Sequence, residues 1–208
     1  LLLRYRLRLL FAASVLLTAV LGWPKPALWL AWGSLLLVLL ASLNTLRHKR
    51  TLRGLIGLLG LASLALLVLE RVLQWHPLFG QGVGMMVFYL AMVASLFNRV
   101  IHERPVTGEL IYGLLALYLL LALAYAMAYQ LISSLQPDAF RSLHGPLQIN
   151  DFVYYSLVTL TTLGYGDIHA LAPAARLLSV SEAVAGVMFI AIAVARSLML
   201  INDRDDSA

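Results

Sequence analysis

The residues with most chemistry to offer lie in one run, from Asp151 through Tyr154, Tyr155, Thr159, Thr161, Thr162, Leu163, Gly164, Tyr165 and Gly166 to Asp167. The run pairs no nucleophile with a base, so the useful groups are those of the main chain. A cation gives up its water only where rings of oxygen stand at the spacing of its hydration shell. Peptide carbonyls point one way along an axis only when successive residues alternate between right- and left-handed backbone. Glycine enters the left-handed region without a Cβ penalty, and Gly164 and Gly166 permit that alternation. The Thr162 hydroxyl supplies a further oxygen at the inner end. Tyr165 is expected to point outward and prop the strand against an aromatic cuff, with Tyr154 and Tyr155 as candidates. Asp167 is placed to accept a hydrogen bond behind the strand, with Tyr154 as the donor.

A helix must hold that strand from one end. Asn150 or Asp151 is a good N-cap, and a helix from there is expected to end near Thr161. Its negative dipole end favours a cation beyond it. Irregular backbone at membrane depth survives only where protein buries it or water lines it, and a short re-entrant helix followed by the Gly-Tyr-Gly strand meets that rule.

The run resembles the pore helix and selectivity filter of potassium channels, whose signature reads Thr-x-x-Thr-x-Gly-Tyr-Gly followed by Asp. Thr159, Thr162, Gly164, Tyr165, Gly166 and Asp167 match it. Leu163 stands where Val is usual, an aliphatic side chain expected to pack behind the filter while its carbonyl faces the ion. The resemblance implies potassium sites at Thr162, Leu163, Gly164 and Tyr165, with Gly166 completing the filter. It also implies support from Tyr154, Tyr155, Thr159 and Asp167. One motif supplies a quarter of each oxygen ring, so a homotetramer is implied. Gly186 lies where many such channels carry an inner-helix glycine, and Arg176 matches a common basic position. The implied likeness runs over about residues 110–200.

The elements around the motif are apolar. Of 208 residues, 62% are hydrophobic and 12% charged, with a mean hydropathy of +0.88; soluble domains carry about 25% charged residues. Lipid is therefore the expected solvent. The absence of cysteine excludes disulfide scaffolds, thiol catalysis and Cys-based zinc sites. The five His residues do not cluster at metal-ligand spacing. Apolar stretches fall at Leu7–Gly22, Ala27–Leu43, Leu55–Leu69, Val83–Phe97, Leu110–Ile132 and Leu177–Ile201. Arg4, Arg6 and Arg8 before the first stretch resemble the head of a signal peptide. No small-x-small cleavage site follows, so a retained span is expected. Eleven of the 15 Lys and Arg residues fall on one set of connecting segments, including the cluster Arg47–Arg50 with Arg53. The positive-inside rule then places both termini in the cytoplasm, and the basic excess needs no nucleic acid to explain it.

The expected fold is thus an all-α membrane protein of six transmembrane helices, with a re-entrant pore helix and filter between the fifth and sixth. Residues 1–98 form a four-span module, 99–109 a cytoplasmic linker, 110–201 the pore domain and 202–208 a short tail. The expected location is a prokaryotic plasma membrane. The expected partners are potassium ions, membrane lipids and further copies of the chain. No cofactor beyond permeant ions and no enzyme activity are expected, for the loops hold no nucleophile–base pair or phosphate-binding loop. A non-selective monovalent cation channel and an ion-coupled transporter subunit remain alternatives.

Gly186 serves either as a hinge or as a small residue for close helix packing. Val187, Ile190, Val194 and Leu198 share one face with it and are expected to line an inner cavity, with an apolar constriction at Val194 or Leu198. Glu182 is the acid inside a span. It is either a modulatory group that supports the filter or tunes gating with pH, or a buried acid bonded to Ser179, Ser181 or a pore-helix hydroxyl. His169, near the outer mouth, is a solvated surface group or a proton sensor. The fourth stretch, Val83–Phe97, carries no charge. A sensor helix needs several, since each charge moved yields about 2.3 kcal/mol per 100 mV. Opening is therefore expected to depend weakly on voltage, and a steep conductance–voltage curve with several gating charges would refute that reading.

Overall fold

The apolar periodicity of the first stretch becomes one buried stripe in the computed structural model, which describes residues 5–45, 54, 56–65, 80–102, 108–143 and 145–205. Helix α1, Arg6–Leu21, buries Leu7, Leu10, Ser14, Leu17 and Leu21, three or four residues apart, as a single helical face requires. It stops at Gly22, whose N–H bonds to the Thr18 carbonyl at 2.9 Å. Pro24, Pro26 and a left-handed Lys25, with φ of 54°, turn the chain into α2, Leu28–Thr45. A third apolar helix, α3, is described over Ile56–Ala65. Helices α4, Gly80–His102, and α5, Gly108–Leu135, follow.

Helix α5 is the central member and packs against α1, α4, the later α6 and α7. At about 1.5 Å per residue its 28 residues span about 42 Å, more than the roughly 30 Å hydrocarbon core. Among the described residues, three helical segments are long and apolar enough to cross a membrane: Val83–Val100, Gly108–Leu135 and Pro173–Leu198. Helix α1, at 16 residues, and the described α3 are shorter. The cluster Arg47–Arg50 with Arg53, the end of the third expected span and residues 103–107 of the linker lie outside the described residues.

Polar side chains join helix ends at one end of the bundle. Arg8 of α1 pairs with Glu109 at the start of α5, at 2.6 Å, and lies over the rings of Tyr5 and Tyr112. Arg99 of α4 donates to the Thr45 carbonyl at the end of α2, at 2.6 Å. Arg196 of the last helix donates to the Val100 carbonyl at 2.7 Å. So α1 and α5 begin where α2, α4 and α7 end.

After α5 a 3-10 turn, Pro137–Ala139, leads into a short strand β1, Phe140–Ser142. Helix α6, Ile149–Leu160, comes next, then strand β2, Ile168–Ala170, and the long α7, Pro173–Asp205. The strands pair antiparallel with Phe140 opposite Ala170 and Ser142 opposite Ile168. The all-α class expected from the sequence holds, and this three-residue ladder is an addition to it. It has a cause: the loop between α5 and α7 must satisfy its main-chain groups, and the chain leaving the Gly-Tyr-Gly segment offers the partners. Helix α7 begins four residues before the expected Leu177 and continues to Asp205 within the expected tail.

Helices α1, α4 and α5 meet at Gly113. A Cβ there would stand 3.2 Å from Leu7 Cδ1 and 3.5 Å from Val100 Cγ2. The small residue lets the helices approach, as in membrane interfaces generally. Gly113→Ala should be tolerated through movement of the Leu7 side chain. Gly113→Leu should destabilise the bundle by about 1–3 kcal/mol, read as a lower melting temperature in detergent.

Candidate functional site

Helix α6 begins at an N-cap two or three residues ahead of the expectation. The cap is Gln148, and Asp151 acts from within the first turn, its Oδ2 accepting the Gln148 N–H at 2.7 Å. A carboxylate three residues inside a helix can reach back to the cap in this way, and its charge suits the positive helix end. Asn150 donates to the other Asp151 oxygen at 3.0 Å. Helix α6 has 12 residues, about 18 Å, too short to cross a hydrocarbon core. Because β1 precedes it and β2 follows the return strand, the whole segment leaves and rejoins the same end of the bundle.

The last carbonyls of α6 are each given a donor. Leu157 accepts from the N–H of Thr161 at 3.0 Å and from its hydroxyl at 2.6 Å. Val158 accepts from Leu163 N–H at 2.9 Å, and Thr159 from Thr162 N–H at 3.0 Å. Leu160 accepts from the Tyr118 hydroxyl of α5 at 3.1 Å. With the helix end satisfied, the chain continues with φ of 61° at Thr162, 56° at Gly164 and 75° at Gly166. Left-handed backbone therefore recurs at every second residue. The glycines were expected to adopt it, and Thr162 joins them. A β-branched residue there is strained by about 1–3 kcal/mol, and the hydrogen bond from its N–H to Thr159 helps hold it.

Residues Thr161–Gly166 are exposed along their length. Tyr165 lies parallel to Tyr154, with ring centroids 6.4 Å apart and planes within 2°. The Tyr154 hydroxyl lies on the side of the Asp167 carboxylate, and the Asp167 carbonyl accepts from Leu143 N–H at 3.2 Å. Tyr155 turns away from Tyr165. It packs edge-on against Tyr129 and Phe140, and its hydroxyl meets Ser179 of α7 at 2.8 Å. Any support from Tyr155 thus reaches the strand through α6 and α7. Thr159 is half-buried in the last turn of α6. His169 is exposed beside Gly166 and opposite Arg141 in the ladder.

Behind α6 stands α7. A Cβ on Gly186 would meet the Leu160 carbonyl oxygen at 2.1 Å. Helix α7 is unbroken through Gly186. The second of the two readings, a small residue for close packing, accounts for Gly186 here, with a main-chain carbonyl as the neighbour. Glu182, one turn earlier, is fully buried. Neither Ser179 nor Ser181 is its partner. Its Oε2 accepts from the Tyr129 hydroxyl at 2.5 Å, and its Oε1 meets the Ser156 hydroxyl of α6. Val187, Ile190, Val194 and Leu198 are all exposed on the side of α7 turned away from α5 and α6.

Tyr118 and Tyr129 were not anticipated, and Ser156 only as an unnamed hydroxyl of the helix before the Gly-Tyr-Gly segment. The signal was present: hydroxyls within apolar spans need partners, and Tyr118, Tyr125 and Tyr129 fall on one face of α5 by helical spacing.

Comparison with known proteins centres on this segment. Residues 113–202 match the family model described as "Ion channel". Two pore potassium channel c of Oryza sativa subsp. japonica is 38% identical over 86 residues, 40% of this chain. Those residues make up 19% of that protein, so the chain spans about a fifth of the relative's length. No solved structure matches the chain. Both likenesses are to channel proteins, not enzymes, and they agree with the sequence reading on that point. They cover the segment in which helix, strand and backing helix come together.

Gly186→Ala drives a methyl group into the Leu160 carbonyl, and backbone cannot give way as a side-chain tip can. The expected outcome is a loss of about 1–3 kcal/mol in stability, read as a lower melting temperature in detergent. An unchanged melting temperature would mean that α6 does not press on α7 at this point.

Proposed function

We propose that four copies of this chain form a potassium-selective channel, conducting passively through a filter of main-chain carbonyls. The observation that carries the proposal is the left-handed backbone at Thr162, Gly164 and Gly166 beyond an anchored helix end. Alternation of that kind turns successive carbonyls toward one side, where four strands about an axis would replace a cation's water. In this reading potassium sits at Thr162, Leu163, Gly164 and Tyr165, while Tyr154, Thr159 and Asp167 support the strand. Helix α6 enters the membrane part-way, its carbonyl end toward a central cavity.

The bare surfaces support an assembly. In the single chain the strand is uncovered, and α7 exposes Leu177, Val180, Val184, Val187, Ile190, Val194 and Leu198. A fourfold arrangement would cover part of this face and leave Val187, Ile190 and Val194 lining the inner cavity. The potassium channel relative supports the choice of ion. Residues 1–98 would serve as a four-span scaffold in contact with lipid, with both termini cytoplasmic in a plasma membrane.

The test is a reversal-potential measurement on the purified chain in proteoliposomes under opposed potassium and sodium gradients. The potential should follow the potassium gradient. A potential that follows sodium equally would replace this reading with a non-selective cation channel, and absence of flux would overturn conduction itself.

A further inference from the structure

Hydroxyls in these helices usually bond back along their own helix. Ser14 donates to Leu10, Thr18 to Ser14, Ser63 to Leu59 and Ser179 to Ala175, each four residues earlier. Ser156 departs from this habit. Its Oγ donates to the Ala122 carbonyl of α5 at 2.7 Å and also meets Glu182 Oε1 of α7. Ser156 therefore ties α6 to two other helices.

The protons can be counted. The cluster has three hydrogen-bond contacts: Ser156 to Ala122, Ser156 to Glu182 Oε1, and Tyr129 to Glu182 Oε2. A hydroxyl carries one proton, and a main-chain carbonyl carries none to give. Ser156 and Tyr129 together supply two protons for three bonds. The third must come from the carboxyl group. We propose that Glu182 is held as a neutral carboxylic acid that donates from Oε1 to Ser156, and that this proton positions α6 against α5 and α7.

The surroundings agree. Tyr129, with Tyr118 further along α5, faces Glu182 from that helix, Ser156 from α6, and Tyr155 stands against Tyr129. Among the described residues no Lys, Arg or His bonds to it, so a charge at Glu182 would lie buried without a counter-ion. Removing the proton leaves an ionised Oε1 facing Ser156, whose own proton then serves either the acid or Ala122 but not both. Rising pH should therefore loosen the tie, and falling pH restore it. Glu182 is a positioning residue for the proposed filter.

Infrared spectroscopy of the full chain in lipid tests this directly, with the side-chain carboxyl of glutamate labelled with carbon-13. Glutamate occurs at Glu70, Glu103, Glu109 and Glu182. At neutral pH the spectrum should contain the carbonyl band of a protonated acid that shifts with the label and disappears in Glu182→Gln. Carboxylate bands alone, or an acid band that survives Glu182→Gln, would overturn the proposal. Should that variant fail to fold, replacing Glu70, Glu103 and Glu109 with Gln leaves Glu182 as the labelled residue, and the same band decides.

A second readout separates positioning from bulk. Gln can donate to Ser156 and accept from Tyr129, so Glu182→Gln should keep near-native melting temperature and flux, and lose the change in flux at the pH where the wild-type band vanishes. Glu182→Ala should lower both melting temperature and flux. Equal damage from Gln and Ala would overturn the proton's positioning role. The flux arm rests on the proposed channel activity, whereas the infrared band does not, so failure of one is distinguishable from failure of the other.

Discussion

A strand that turns left-handed at every second residue cannot pair with a neighbour along its length. Its residues are exposed along their length, so it contributes little to its own stability. Everything that holds it lies at its two ends and behind it. At the inner end the last carbonyls of α6 are closed by Thr161, Thr162, Leu163 and Tyr118. At the far end the Asp167 carbonyl is held by the Leu143 N–H. Behind, Gly186 lets α7 press on Leu160. The strain at Thr162 persists because the fixed helix end leaves the next peptide little choice of direction.

The same requirement explains the division between the halves of the chain. The helices α5, α6 and α7 are joined by hydroxyl-to-carbonyl bonds and an aromatic cluster of Tyr129, Phe140, Phe152 and Tyr155. The earlier helices pack through apolar side chains, Phe88 and Tyr89 among them, with polar ties gathered at one end of the bundle. Between apolar helices in lipid, dispersion and close approach do most of the work, and small residues such as Gly113 set the distance. Polar ties within the span appear where position must be held to a fraction of an ångström.

Much of this was legible in the sequence. The motif from Thr159 to Asp167 marked the strand, Gly164 and Gly166 marked its backbone, and the run of apolar stretches marked the helices. The unread parts share a cause: they depend on which surfaces meet, and local pattern does not encode that. The left-handed turn at Thr162 comes from the hydrogen bonds that end α6, not from the threonine. Ser156 looked like an ordinary helix serine until Ala122 and Glu182 stood beside it. The paired strands could not be seen because each has three residues and 25 residues lie between them in the chain. Tyr154 and Tyr155 are neighbours in sequence, yet only their opposite directions on α6 decide that one meets Tyr165 and the other Ser179.

The β1–β2 ladder has an evolutionary consequence. It closes the loop that contains α6 and the strand, and the entropy of closing a flexible loop grows only with the logarithm of its length, about 0.6 kcal/mol for each doubling. Gly145 and Pro146 sit just inside that closure, exposed and before the helix cap. Residues could be added or exchanged there at small cost while the ladder keeps both ends of the segment in register. The loop is thus free to diversify without disturbing the helix and strand that follow it.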